Sequence, residues 1–275
     1  MSQSDRAEYF RQLHSKRPLV LPNAWDAGSA RMIEQAGAVA IATTSAGVSW
    51  GLGRSSQKLQ RDEMLRVVRS IAETVAVPVT ADVEGGYGTG SERDVAETVE
   101  RLVDIGVVGI NLEDSPGSDG EQLLEPEVHA ARIRAARNAA IGAGCDLVIN
   151  VRVDPYLLQV GAPETRFDET VRRAKIYRAA GADCVFVPGV IDVDTIGALV
   201  RAIDGPLNIM AMPGAPSVSQ LAELGVARVS VGPVITQIAF VAAHRAAREL
   251  LEQGTYGSAE DSLSYGEVNA FFAHA

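Results

Sequence analysis

Five times along this chain a helical stretch ends in glycine and passes at once into an apolar run. The sites are Gln35-Ala-Gly-Ala38, Asp104-Ile-Gly-Val107, Gly142-Ala-Gly-Cys145, Ala179-Ala-Gly-Ala182 and Glu223-Leu-Gly-Val226. Glycine just past a helix adopts the left-handed conformation that caps it, and the run that follows reads as a strand. A chain punctuated this way must alternate helix and strand.

Apolar runs near 18–23, 39–45, 77–84, 106–114, 146–154, 184–189, 206–212 and 227–233 give eight strands. Amphipathic stretches near 26–36, 58–76, 91–105, 125–142, 164–180, 192–203, 217–224 and 234–253 give eight helices between and after them. Most of the strand runs are continuous rather than alternating, as in parallel sheets buried on both faces. Eight such units predict an α/β fold, a TIM (β/α)8 barrel over 1–254, with catalytic groups at the C-terminal strand ends. A doubly wound sheet would need a phosphate fingerprint after its first strand, and neither Pro22-Asn-Ala-Trp-Asp-Ala-Gly-Ser29 nor Gly51-Leu-Gly53 supplies one. Residues 255–275 read as a C-terminal extension, with Phe271 and Phe272 seeking a partner surface.

The segment Val77-Pro-Val-Thr-Ala-Asp-Val-Glu-Gly-Gly-Tyr-Gly88 carries the strongest chemical signal. Strand residues i and i+2 share a face, so Asp82 and Glu84 are expected to project together where the strand stops. With Glu113 from the next strand they suit a hard divalent cation such as Mg²⁺, bound directly or through its waters. Arg152 is a fork suited to a carboxylate or a developing enolate oxygen, or else a salt-bridge partner of Asp154 or Glu113. Thr44-Ser45-Ala46-Gly47 is a small-residue turn whose hydroxyls and N–H groups could cradle an anion. Asn208 stands deeper in the seventh strand.

Other chemistries lack their residues. The lysines (Lys16, Lys58, Lys175) and histidines (His14, His129, His244, His274) all fall in helices or tails, so no Schiff base or nucleophilic triad can be assembled at the strand ends. Cys145 and Cys184 stand at strand beginnings, where they read as packing residues in a reducing cytoplasm. A net charge of −10 argues against nucleic acid as a partner, and neither a signal-peptide stretch nor a membrane-spanning run is present. A metal, an arginine and a hydroxyl-lined anion pocket remain, a set fit to stabilise an enolate.

In this order the motifs resemble the isocitrate lyase/phosphoenolpyruvate mutase superfamily over nearly the whole chain. They are Asn23-Ala-Trp-Asp26 with Ala36-Gly37, Thr43-Thr-Ser-Ala-Gly-Val48, Asp82-Val-Glu-Gly-Gly-Tyr-Gly88, Leu112-Glu-Asp114, Val151-Arg-Val-Asp154 and Ala180-Gly-Ala-Asp183. The resemblance implies a barrel that forms dimers or tetramers by exchanging a terminal helix, so that 255–275 packs on a neighbouring subunit. It implies Mg²⁺ on Asp82, Glu84 and Glu113, and a small α-keto acid or a di- or tricarboxylate as substrate. Thr44, Ser45, Ala46, Gly47, Asp82, Arg152 and Asn208 would bind that substrate, with Asp82, Glu113 and Arg152 as the catalytic groups. Lyases of this superfamily carry a loop with a Lys-Arg-Cys-Gly-His run whose cysteine is the acid/base. Here the loop is Ser115-Pro-Gly-Ser-Asp-Gly-Glu-Gln122, without Cys or Lys. Ser55-Ser56 and Gly189 stand where relatives carry an aspartate and a glutamate. The expectation is a carbon–carbon lyase-like enzyme acting next to a keto carbon. The alternatives are an oxaloacetate-type decarboxylase, a C–P hydrolase, or a non-catalytic keto-acid-binding protein.

Overall fold

The computed structural model of the protein describes residues 2–15, 18–116 and 123–273. Nine parallel strands form one sheet: β1 (Leu19–Leu21), β2 (Asn23–Ala24), β3 (Ile41–Thr43), β4 (Val79–Asp82), β5 (Gly109–Glu113), β6 (Val148–Arg152), β7 (Cys184–Val187), β8 (Leu207–Met210) and β9 (Arg228–Ser230). Their order is β1-β9-β8-β7-β6-β5-β4-β3-β2. The expected first strand is split in two at Pro22, which has no N–H to give to a ladder. Its first half pairs with β9 (Leu19↔Arg228) and its second with β3 (Asn23↔Ala42), so one broken strand joins the two edges and closes the barrel. Asn23 secures the joint, donating to Thr43 O at 2.8 Å and accepting from Val231 N at 3.0 Å.

Helices ring the barrel: α1 (Gln3–Leu13), α2 (Ala27–Gln35), α3 (Ser45–Gly51), α4 (Arg61–Thr74), α5 (Glu92–Ile105), α6 (Pro126–Gly142), α7 (Arg166–Ala179), α8 (Val193–Ala202), α9 (Val218–Leu224), α10 (Val234–Gln253) and α11 (Tyr265–Ala270). The predicted helices after the strands are present. Two more within 1–254 were not expected, and α11 lies in the C-terminal extension. The first, α1, starts on a Ser2–Asp5 capping box and drives Phe10 into the core, where it is fully buried. The second, α3, occupies what reads in sequence as a turn, because Thr44 caps it.

Alanine, valine, leucine and isoleucine fill the space between strands and helices. Cys145 and Cys184 are buried and unpaired, as their positions predicted, and His14 and His129 are buried as well. Beyond the barrel wall α10 is different: only Thr236 on it is buried. Leu251 is 84% exposed and, past the helix, Tyr265 is 88% exposed. No helix among the described residues is long and apolar enough to cross a membrane.

Candidate active site

At the C-terminal rim of the barrel a cavity of about 250 Å³ is lined by residues from most of the strands. Thr44, Ser45 and Ala46 line it together with Asp82, Glu84, Glu113 and Arg152. Leu157, Leu158, Phe186, Pro188 and Met210 make an apolar wall, and Asn23, Asn111 and Ser230 lie among the polar lining. Seven of the expected residues are therefore gathered at one cavity. Gly47 and Asn208 are not among its lining. A Cβ on Gly47 would meet Thr236 Oγ1 and Thr44 Cγ2 at 2.6 Å, so this glycine serves close packing. Asn208 is fully buried, accepting from Ser230 Oγ at 3.3 Å.

The two carboxylates after β4 reach the cavity by a different route from simple strand alternation. The strand ends at Asp82, and Glu84 sits in the left-handed region at φ 51°, a strained setting for a non-glycine residue. Asp82 is held from the α3 side, its Oδ2 accepting the Ser45 N–H at 3.0 Å, while its own N–H donates to Thr43 Oγ1 at 2.9 Å. One donor of the anticipated anion cradle is thus spent on Asp82. The Gly47 N–H donates to Thr44 Oγ1 at 3.4 Å.

Arg152 is committed as well. Its Nε and Nη2 donate to the two oxygens of Asp154 at 2.7 and 2.8 Å, and Nη1 lies 2.5 Å from Glu113 Oε2. The bidentate fork is occupied by Asp154, the salt-bridge option of the sequence reading. Asp154 is locked in turn: its N–H donates to Asp114 Oδ1 at 3.0 Å, and Asp114 Oδ2 accepts from Tyr177 Oη at 2.9 Å and Arg173 Nη1 at 3.1 Å. Burial pushes Asp114 up to about 6, with the Asp154 charge adding to it. Asp114 stands in the Leu112-Glu-Asp114 motif without an assigned role, and Tyr177, on α7, carries no signal in the sequence.

Arg152 pairs with Glu113 and Asp154, and its charge also reaches Asp82 and Glu84. Burial, then the neighbouring Asp82, pushes Glu84 up to about 7, against the pull of Ser45 and Arg152. Its Oε1 is buried with no hydrogen-bond partner. Burial likewise raises Glu113, opposed by Arg152 and by Ser115 Oγ, which donates to Oε1 at 2.8 Å. Among the described residues, no three carboxylates, histidines or cysteines converge as a finished metal cluster. The expected convergence of Asp82, Glu84 and Glu113 is incomplete because Glu113 is turned to Arg152 and Asp82 to Ser45. No Cys, Lys or His is among the lining residues described. Residues 117–122 of the loop that carries the acid/base in lyases lie outside the described residues.

A closed parallel barrel with an acidic cavity at its C-terminal rim defines a TIM-barrel enzyme class. The chain matches the model of the phosphoenolpyruvate phosphomutase family over residues 10–251. A crystal structure from Burkholderia cenocepacia, described as a lyase or mutase, is similar at 36% identity and a TM-score of 0.91, over 98% of this chain and 97% of that one. The 2-methylisocitrate lyase of Escherichia coli is 28% identical over 265 residues, 91% of this chain and 86% of the relative. A phosphonopyruvate hydrolase complex with oxalate and Mg²⁺ is 25% identical with a TM-score of 0.84, over 98% and 95% of the two chains. The protein belongs to the phosphoenolpyruvate phosphomutase family, within the isocitrate lyase/phosphoenolpyruvate mutase superfamily of enzymes.

Proposed function

We propose that the protein is a Mg²⁺-dependent enzyme that binds a small α-keto acid and makes or breaks the carbon–carbon bond next to the keto carbon. The observation that carries this reading is the surplus of carboxylate at one cavity: Asp82, Glu84 and Glu113 line it with Arg152, whose fork Asp154 already occupies, and Glu84 Oε1 is buried and unpartnered. Carboxylates crowded in low dielectric repel one another and raise each other's pKa, and a divalent cation relieves both effects. The donor set is all oxygen, as Mg²⁺ prefers, and Mg²⁺ usually keeps several waters rather than demanding a closed protein cage. Asp82, Glu84 and Glu113 would hold it, directly or through its waters. When bound, it would supply Lewis-acid polarisation of the substrate's keto and carboxylate oxygens.

The chain's own residues do the rest. Thr44, Ser45 and Ala46 line the cavity next to Asp82, where hydroxyl and amide groups would be presented to substrate oxygens. Arg152, pinned by Asp154, contributes a fixed positive charge that needs no reorganisation. The apolar wall of Leu157, Leu158, Phe186 and Met210 excludes water and accommodates the substrate's carbon chain. Because the described lining offers no thiol, amine or imidazole, decarboxylation of an oxaloacetate-like acid is the second reading: it needs the Lewis acid but less positioned proton donation.

The exposed apolar residues of α10 and the segment after it support a homodimer or homotetramer in which residues 255–275 pack on a neighbouring subunit. Unpaired Cys145 and Cys184 agree with a cytoplasmic setting.

The test is a calorimetric titration with oxalate, whose adjacent oxygens resemble the keto and carboxylate oxygens of a keto acid. Binding is expected with Mg²⁺ and its loss is expected with EDTA. Affinity indifferent to EDTA would remove the metal from this account.

A further inference from the structure

Asn111 lies on β5, opposite Asp82 in the barrel register, and lines the cavity. Its Oδ1 accepts two hydrogen bonds. One comes from Asn150 Nδ2 on neighbouring β6, at 2.8 Å. The other comes from Arg228 Nη2, reaching across the barrel from β9, at 3.1 Å. Arginine has no acceptor atom, so the atom of Asn111 turned toward it must be the oxygen. The amide plane is thereby fixed and Nδ2 is directed the other way. No described residue accepts a hydrogen bond from Nδ2, and it is not among the buried polar atoms without a partner. That leaves it facing the cavity.

Arg228 itself needs an explanation. It is fully buried, and its Nε and Nη1 have no hydrogen-bond partner. Among the described residues it makes no ion pair, and the Phe10 ring lies 6.0 Å from its guanidinium. Burying an unpaired cation is unfavourable, and the interior of a barrel is ordinarily filled with branched apolar side chains. A role in holding Asn111 accounts for its place.

We propose that Asn111 is a substrate-binding residue whose Nδ2 donates to a carboxylate or keto oxygen of the bound acid, and that Arg228 and Asn150 are the positioning residues that set its amide. This rests on the keto-acid reading above. It gives a neutral donor to the side of the cavity where Asp82, Glu84 and Glu113 offer acceptors.

Asn111→Asp tests it, because the side chain keeps its shape, replaces the donor by an acceptor and gives Arg228 a counter-charge. Oxalate affinity would be measured by calorimetry at saturating Mg²⁺ and pH 8, beside the melting temperature. The expected result is a tenfold or greater loss of oxalate affinity with the melting temperature unchanged or raised. Asn150→Ala, which removes one of the two positioning donors, should lose affinity to a smaller extent. Oxalate affinity in Asn111→Asp equal to wild type overturns the inference, and so does a loss of affinity accompanied by a lower melting temperature, which would make Asn111 merely structural. A wild-type protein that does not bind oxalate removes the parent reading and this inference with it.

Discussion

Arg152 shows how one side chain can be visible in sequence while its role is decided elsewhere. Its place at the end of β6 is legible, and so is its choice between substrate and salt bridge. What resolves the choice is Asp154, held by Asp114, which Tyr177 anchors from a helix 63 residues on in sequence. Arg152→Lys keeps the charge and loses the fork that Asp154 grips, so oxalate affinity should fall by ~1–3 kcal/mol, the scale of charged hydrogen bonds. Calorimetry on the two proteins measures it, and unchanged affinity would leave Arg152 a structural ion pair alone. Asn111 and Arg228 were not legible. They sit inside the runs Gly109–Glu113 and Arg228–Ser230, and are 117 residues apart, brought together only by closure of the barrel. By contrast, Thr44–Ala46, Asp82, Glu84 and Glu113 were found because each follows an apolar run at a strand end.

At the scale of elements, the strands and their helices followed from glycine caps and apolar runs. What could not be read was the break at Pro22, whose two halves pair with opposite edges, and the helix α1. That helix places Phe10 beneath Arg228 and against the bare Gly109, where a Cβ would lie 2.7 Å from Phe10 Cε1. Phe10→Ala should cost about 3–5 kcal/mol, the range for emptying an aromatic site in a core, read from urea unfolding; a loss below about 1 kcal/mol would mean that α1 is not part of the cooperative core. Two buried histidines, His14 at the end of α1 and His129 in α6, set a pH dependence. Burial, then the Arg228 charge, pulls His14 down to about 4, and burial, then Arg132 and Arg173, pulls His129 down to about 3. Below pH 6.5 the unfolded chain takes up protons at both positions that the folded chain refuses, so their contribution to stability falls as pH falls through this window. Each contributes a slope of about 1.4 kcal/mol per pH unit. The raised Asp114 acts in the opposite direction, so the comparison is between wild type and His129→Leu. The variant's stability should fall less steeply from pH 6.5 to 4, and parallel curves would contradict this.

The whole molecule presents an acidic cavity on a closed barrel and an apolar helix that the described chain leaves uncovered. Leu250, Leu251, Tyr265 and Val268 are exposed together with Ile238 and Val241, more apolar surface than a lone barrel ordinarily shows to water. Sedimentation at micromolar concentration should give a dimer or tetramer, and a monomer would leave that surface without an explanation. The loop sequence sets a limit on rate. Cleaving 2-methylisocitrate leaves a carbanion that must be protonated, and Ser115–Gln122 supplies neither thiol nor lysine nor histidine. Loss of a positioned general acid costs about 10²–10⁴-fold, so lyase turnover should fall well short of ~10 s⁻¹, an ordinary enzyme rate.

The central claim is that metal-assisted chemistry on a keto acid takes place at the carboxylates after β4. Its most direct test follows oxaloacetate and 2-methylisocitrate by proton NMR in the presence of the protein. Mg²⁺, EDTA and the Asp82→Ala variant are the three conditions to compare. The account predicts consumption of a keto or hydroxy acid by wild type with Mg²⁺, suppressed by EDTA and by Asp82→Ala, with the variant's melting temperature preserved. Consumption that persists in EDTA or in folded Asp82→Ala would contradict it.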